Sequence, residues 1–287
     1  MADNKFDRNA EDLGNIVGLE HVNVTVPDQQ QATHFYLTGL GLTRDPYLMT
    51  GTGNMWVNVG RSQLHLPTAK PQVLRGHIGM VLPDRAGLVR RLERLRKHLA
   101  GTCFDFAERK DFVDATCPWG NHFRCYESNG RFGRMTLGIP YVDLEVEAGT
   151  ADGIGRFYRE IMGTKVRVEC DPRGRHAHVS VGNGQELVFR ESYRMLPPYD
   201  GHHIQIYVGN FSSPYQRLLE RGLISEESDQ HQYRFKDIVD PDTGKVLYTL
   251  EHEVRSLKHP LYGRHLVNRN PAQSLMGYAP GQDVWQG

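Results

Sequence analysis

The chain of 287 residues has no excess of charge of either sign: Lys plus Arg and Asp plus Glu each number 34. That argues against nucleic acid as a partner, because its binders show a basic excess or stripe. The one strongly basic run, Arg90 to Lys97, has Leu88, Leu92 and Leu95 at helical spacing and reads as a solvated helix face. No apolar run approaches the ~18 residues of a membrane span, so no membrane partner is expected. Met1 to Arg8 lacks the apolar core of a secretion signal. The four cysteines (Cys103, Cys117, Cys125, Cys170) form no CxxC pair and no disulfide framework. They read as structural thiols in a reducing, cytoplasmic setting. With 39% hydrophobic and 24% charged residues the chain is globular, long enough for one large domain or two ordinary ones.

What is present is repetition. Segments opening at His21, His77, Tyr141 and His203 read His-Val-Asn-Val-Thr-Val, His-Ile-Gly-Met-Val-Leu, Tyr-Val-Asp-Leu-Glu-Val and His-Ile-Gln-Ile-Tyr-Val. Each carries aliphatic residues at alternate positions, as a strand does. Helix-like segments follow near Gln29–Leu40, Arg85–Leu99, Ala151–Met162 and Ser213–Arg221. The first and third end alike, Phe35-Tyr36 before Gly41 and Phe157-Tyr158 before Gly163, where glycine suits a helix C-terminus. Strand-like runs then flank Gly60-Arg61 and Gly182-Asn183-Gly184, which are hairpin signals. The interval from Gly120 to Glu127 equals that from Gly244 to Glu251. The predicted architecture is α+β: four βαβββ units grouped as two modules, 16–128 and 135–254. A flexible N-terminal arm spans 1–15, and an extension spans 255–287 with Leu261, Tyr262 and Trp285 as docking anchors.

His21, His77 and Glu127 are the chemically suggestive residues. Two imidazoles and a carboxylate, each on a strand-like segment, make a facial metal site with open positions. A buried glutamate needs a cation, metal or hydrogen-bond partner. His65 lies two residues from Gln63 and shares its strand face. His176 and His178 share a face too, and His202 adjoins His203. His122 and His252, at odd offsets from Glu127 and Glu251, are expected to face away from the sites.

From Ile16 to about Glu253 the chain resembles the vicinal oxygen chelate superfamily of glyoxalases, extradiol dioxygenases and antibiotic-resistance proteins. The resemblance rests on the four ordered strand openings and their ligand-type residues. It implies curved mixed sheets around a divalent metal ion, Fe2+, Mn2+, Zn2+, Ni2+ or Co2+, with a small-molecule substrate chelating through adjacent oxygens. Residue by residue, it places ligands at His21, Gln63, His77 and Glu127. The second set is Tyr141, Gln185 or Glu186, His203 and Glu251. Tyr141 is a poor ligand, since phenol must lose a proton of pKa about 10, so the second set reads as degenerate. A homo-oligomer is compatible with the family.

Three activities are compatible. A lyase or isomerase of the glyoxalase kind would use the four-ligand set, with His65 or an unidentified carboxylate as the base candidate. An extradiol ring-cleaving dioxygenase with Fe(II) would use three ligands. That family, however, places its metal in the second half and has a Tyr where this chain has Val239. A non-catalytic binder of the resistance type is the third, against which the full triad argues.

Overall fold

The computed structural model describes residues 6–48, 51–270 and 276. Trp285 and residues 1–5 of the expected N-terminal arm lie outside the described residues. The first unit comprises β1 (Ile16–Asn23), α1 (Gln29–Ala32), β2 (Thr43–Arg44), β3 (Asn54–Val59) and β4 (Ser62–Pro67). The second comprises β5 (Gly76–Leu82), α2 (Arg85–Leu95), β6 (Asp105–Glu108), β7 (Val113–Thr116) and β8 (His122–Glu127). The third has β9 (Gly138–Glu147), α3 (Ala151–Glu160), β10 (Val166–Asp171), β11 (Gly174–Ser180) and β12 (Glu186–Ser192). The fourth has β13 (His203–Val208), α4 (Ser212–Leu219), β14 (Ile224–Asp229), β15 (Gln232–Val239) and β16 (Val246–Ser256). All four βαβββ units of the sequence reading are therefore present. Local chemistry sets their edges. Asp28 caps α1 by accepting from the Gln30 and Gln31 amides, and Asp84 caps α2 through Gly87. After α1 the chain widens into a π-type turn over Thr33–Gly39, where the Leu40 amide reaches back to the Phe35 carbonyl.

The units pair differently from the expected halves. One eight-stranded sheet runs β14-β15-β16-β13-β1-β4-β3-β2, and the other β10-β11-β12-β9-β5-β8-β7-β6. The first unit thus joins the fourth, and the second joins the third. The expected modules 16–128 and 135–254 each split between both sheets. Chain economy accounts for this. The short connection from β8 to β9 delivers the chain to the same sheet, where β9 lies antiparallel to β5. That leaves the fourth unit to close onto the first, with β13 antiparallel to β1.

The helices pack between the sheets. Tyr158 of α3 stacks toward Phe189 of β12, and its hydroxyl meets the His252 Nε2 of β16 at 2.5 Å. Phe35 and Tyr36 of the first unit both reach Phe123 of β8. Val22 and Ile78, which alternate with His21 and His77, are buried in this shared core. His21 and His77 therefore sit on different sheets, on faces turned away from the helix layer.

The two sheets also interlock at their hairpins. A Cβ on Gly60, at φ +67°, would lie 2.1 Å from the Leu137 carbonyl oxygen. One on Gly182, at φ +80°, would lie 2.1 Å from the Val17 carbonyl carbon. Each hairpin of one sheet thus abuts the opening strand of the other, backbone against backbone. The chain ends add to this. Asn15 donates to the Met162 carbonyl, Asn268 brackets Gly60, and the Tyr262 ring packs on Tyr207. Gly182→Ala is expected to destabilise the fold by about 2–4 kcal/mol, combining left-handed strain with a backbone clash. A urea-unfolding midpoint measures it, and an unchanged midpoint would disprove the interlock.

Candidate metal centre

The antiparallel register of β1 and β13 places His21 opposite Gln205 and Asn23 opposite His203. Parallel pairing of β1 with β4 sets Gln63 beside His21 and His65 beside Asn23. Parallel pairing of β13 with β16 sets Glu251 beside His203 and Glu253 beside Gln205. Because side chains alternate along strands, these residues share one sheet face.

Nitrogen atoms of His21, His65 and His203 lie within 4.8 Å of one another. His21 is 1% exposed. Its Nδ1 faces the Glu20 carboxylate at 3.3 Å, and its Nε2 has no partner. His65 stacks on Trp56 with ring centroids 3.7 Å apart, and its Nε2 meets Asn54 Oδ1 at 2.8 Å. His203 has Glu251 3.8 Å from Nδ1 and Glu253 3.8 Å from Nε2. Burial, reinforced by repulsion from neighbouring His21, pushes His65 and His203 down to about 2, so both rings are neutral and keep a lone pair for a ligand.

The carboxylates are held by cations. Arg234 donates to Glu251 at 2.6 Å and to Glu253 at 2.5 Å. Arg255 lies 2.5 Å from Glu253 Oε1, but as an ion pair without a directed hydrogen bond. Around them, buried polar atoms lack partners: His21 Nε2, Asn23 Oδ1 and both amide atoms of Gln205. Orphaned buried polar groups cost roughly 1–3 kcal/mol each. Gathered on one face with three imidazoles, they fit a divalent metal and an oxygen-rich ligand.

The expected triad of His21, His77 and Glu127 is not brought together. His77 belongs to the other sheet, and Glu127 is the exposed last residue of β8, paired with Leu82. Equal spacing from a turn glycine misaligned the last strands. In register, the counterpart of Glu251 beside His203 is His122 beside His77, and that of Glu253 beside Gln205 is Arg124 beside Gly79. His122 accordingly lines the cleft it was expected to avoid, whereas His252 is in the core as expected. Gln63 is drawn away from metal duty. Its amide donates to Asn58 at 2.6 Å and to Asp45 at 3.1 Å, and it accepts from Arg264 at 3.1 Å. His203, expected in a degenerate set, lies instead beside His21, with Glu251 next to His203 on the following strand.

The second sheet carries the other expected residues. His77 Nε2 meets the Tyr141 hydroxyl at 3.2 Å, and Tyr141 also meets the Tyr126 hydroxyl at 2.9 Å. Burial raises the Tyr141 phenol far above its usual range, so it is no anionic ligand. Gln185 is fully engaged with Leu19, Ser62 and Ile139. A cavity of about 790 Å3 opens here, lined by His77, His122, Arg124, Asp143, Arg173 and Arg190. The cavity and the His21, His65 and His203 cluster therefore lie on different sheets. Donor chemistry, not volume, marks the candidate metal centre, because arginines occupy the positions near His77.

Comparison with solved structures gives the architecture a name. Glyoxalase I from Zea mays matches with a TM-score of 0.59 over 83% of this chain and 92% of that one, at 13% identity. A putative dioxygenase from Bacillus subtilis subsp. subtilis str. 168 matches with a TM-score of 0.53 over 84% and 86%, at 16% identity. The chain has the vicinal oxygen chelate fold. No family model matches the sequence, and no curated protein does. In this chain each sheet is one pair of units, and the β1/β13 pairing brings His21, His65 and His203 together.

Titration gives an independent check on the packing. Burial first, then repulsion from Arg124, Arg173 and Arg190, pushes His77 down to about 3, and burial does the same for His252. An unfolded histidine takes up its proton near 6.5. Stability is thus complete above that value and falls as pH drops from 6.5 toward 3, where the folded rings finally protonate. The urea midpoint of the metal-free protein is expected to decline across that window, and less steeply in His77→Gln. Equal slopes in the two proteins would contradict the burial of a neutral His77.

Proposed function

We propose that the chain is a metal-dependent enzyme whose ion is held on the β1/β13 face by His21, His65 and His203, with Glu251 or Glu253 as the nearby carboxylate. The observation that carries this is the orphaned, buried Nε2 of His21 beside the imidazoles of His65 and His203. A divalent ion bound there supplies Lewis acidity toward a substrate presenting adjacent oxygens. Fe2+, Mn2+, Zn2+, Ni2+ and Co2+ all suit imidazole and carboxylate donors.

The reaction class that fits best is a lyase or isomerase step, in which a proton leaves a carbon beside a carbonyl. Four donors around the centre support it, with His65 in place of the withdrawn Gln63. His65 itself is a weak base, given how far burial lowers it. Glu253 is better placed to move the proton, since Arg234 and Arg255 hold it 3.8 Å from His203. Gln205 Nε2 can donate to a substrate oxygen, and Asn23 Oδ1 can accept from a substrate hydroxyl. A second reading, an extradiol ring-cleaving dioxygenase, is favoured by one observation. His21, His203 and one glutamate by themselves make the two-histidine, one-carboxylate set of iron oxygenases.

His21→Ala and His203→Ala are expected to lose the central metal after chelation and reloading, and His77→Ala to keep it. Metal loss confined to His77→Ala would overturn the assignment. Turnover of a dicarbonyl–thiol adduct supports the lyase or isomerase reading. Oxygen uptake with catechols after anaerobic iron loading supports the dioxygenase instead.

A further inference from the structure

We infer a second metal site, independent of the first, on the β10–β11 hairpin at the edge of the other sheet. Its donors are Glu169, His176 and His178. Antiparallel register sets Glu169 opposite His176, with His178 two residues along on the same face. Both Nε2 atoms lie 3.9 Å from the same oxygen, Glu169 Oε2.

The remaining atoms of all three side chains are held so that these donors converge. His178 Nδ1 meets Glu186 Oε2 at 2.7 Å, and His176 Nδ1 meets the Gly174 carbonyl at 3.0 Å. An acceptor behind each Nδ1 fixes the proton there and leaves the Nε2 lone pair forward, the arrangement that orients metal-binding histidines. Glu169 Oε1 accepts from Arg167 at 2.8 Å, which leaves Oε2 free. Arg190 also approaches His176 Nδ1, at 3.1 Å, and competes with the Gly174 carbonyl for that atom. It has Asp143 and Asp171 as alternative acceptors, so a metal that selects the Nδ1–H form displaces only one of its contacts.

The donor set indicates zinc or a similar borderline ion. Tetrahedral zinc needs donor separations of about 3.3 Å, so the observed 3.9 Å closes by a small side-chain movement. His176 is buried and Glu169 is half exposed, so an ion can enter from the Glu169 side and keep an outward position for water. Bound there, it staples an edge hairpin whose Arg173 lines the 790 Å3 cavity and whose Asp171 accepts from Arg190, another lining residue.

The test is zinc retained by the full chain after chelation, reloading and gel filtration, measured by elemental analysis. The unsubstituted protein is expected to retain one zinc equivalent more than His176→Ala/His178→Ala. The same difference is expected between His21→Ala/His203→Ala and the variant combining all four substitutions, which separates this site from the central one. Glu169→Gln, which preserves shape, is expected to weaken zinc binding at this site by at least roughly tenfold. Identical zinc retention with and without His176 and His178, in both backgrounds, overturns the proposal. Loss of zinc only on substituting His21 and His203 overturns it equally.

Discussion

The antiparallel pairing of β1 with β13 is the constraint on which the rest depends. It joins the first and last units of the chain, and it sets His21 and Asn23 against Gln205 and His203 in two adjacent rows. Neither unit alone assembles a ligand set. The first offers His21 and His65 without a free carboxylate, and the fourth offers His203 with Glu251 and Glu253. The site exists because the sheet is continuous across sequence-distant units, and the same continuity buries the donors.

Around that pairing the two sheets have diverged. At the register positions of Glu251 and Glu253 the second sheet carries His122 and Arg124, and in place of a ligand histidine it has Tyr141. Arg190 neutralises Asp143 beside them. One fold thus presents the His21, His65 and His203 cluster on one sheet and a guanidinium-lined cavity on the other. The interlocked hairpins at Gly60 and Gly182 keep both outer faces fixed relative to the shared core.

Much of this was legible in the chain. Strand alternation marked β1, β5, β9 and β13, and the glycine-bearing turns marked the hairpins, because local propensity and tertiary role agree there. His21, His203 and Glu251 were all visible as ligand-type residues. The misreading lay in grouping. His77 and Glu127 looked like partners of His21 because they fall in the same half of the chain and repeat its spacing. Glu127 is three residues past Arg124, and a shift of odd length in a strand moves a side chain to the other face.

The sequence by itself determined the number of units, their internal order and the residues able to bind a metal, since each depends on periodicity over a few residues. Only the tertiary structure decided which unit pairs with which, and so which histidines meet. That choice depends on the short link from β8 to β9, on β13 finding β1, and on buried contacts such as Tyr158 with His252. It also took the fold to withdraw Gln63 fully, because Arg264 arrives from 201 residues away to join Asn58 of the same hairpin and Asp45.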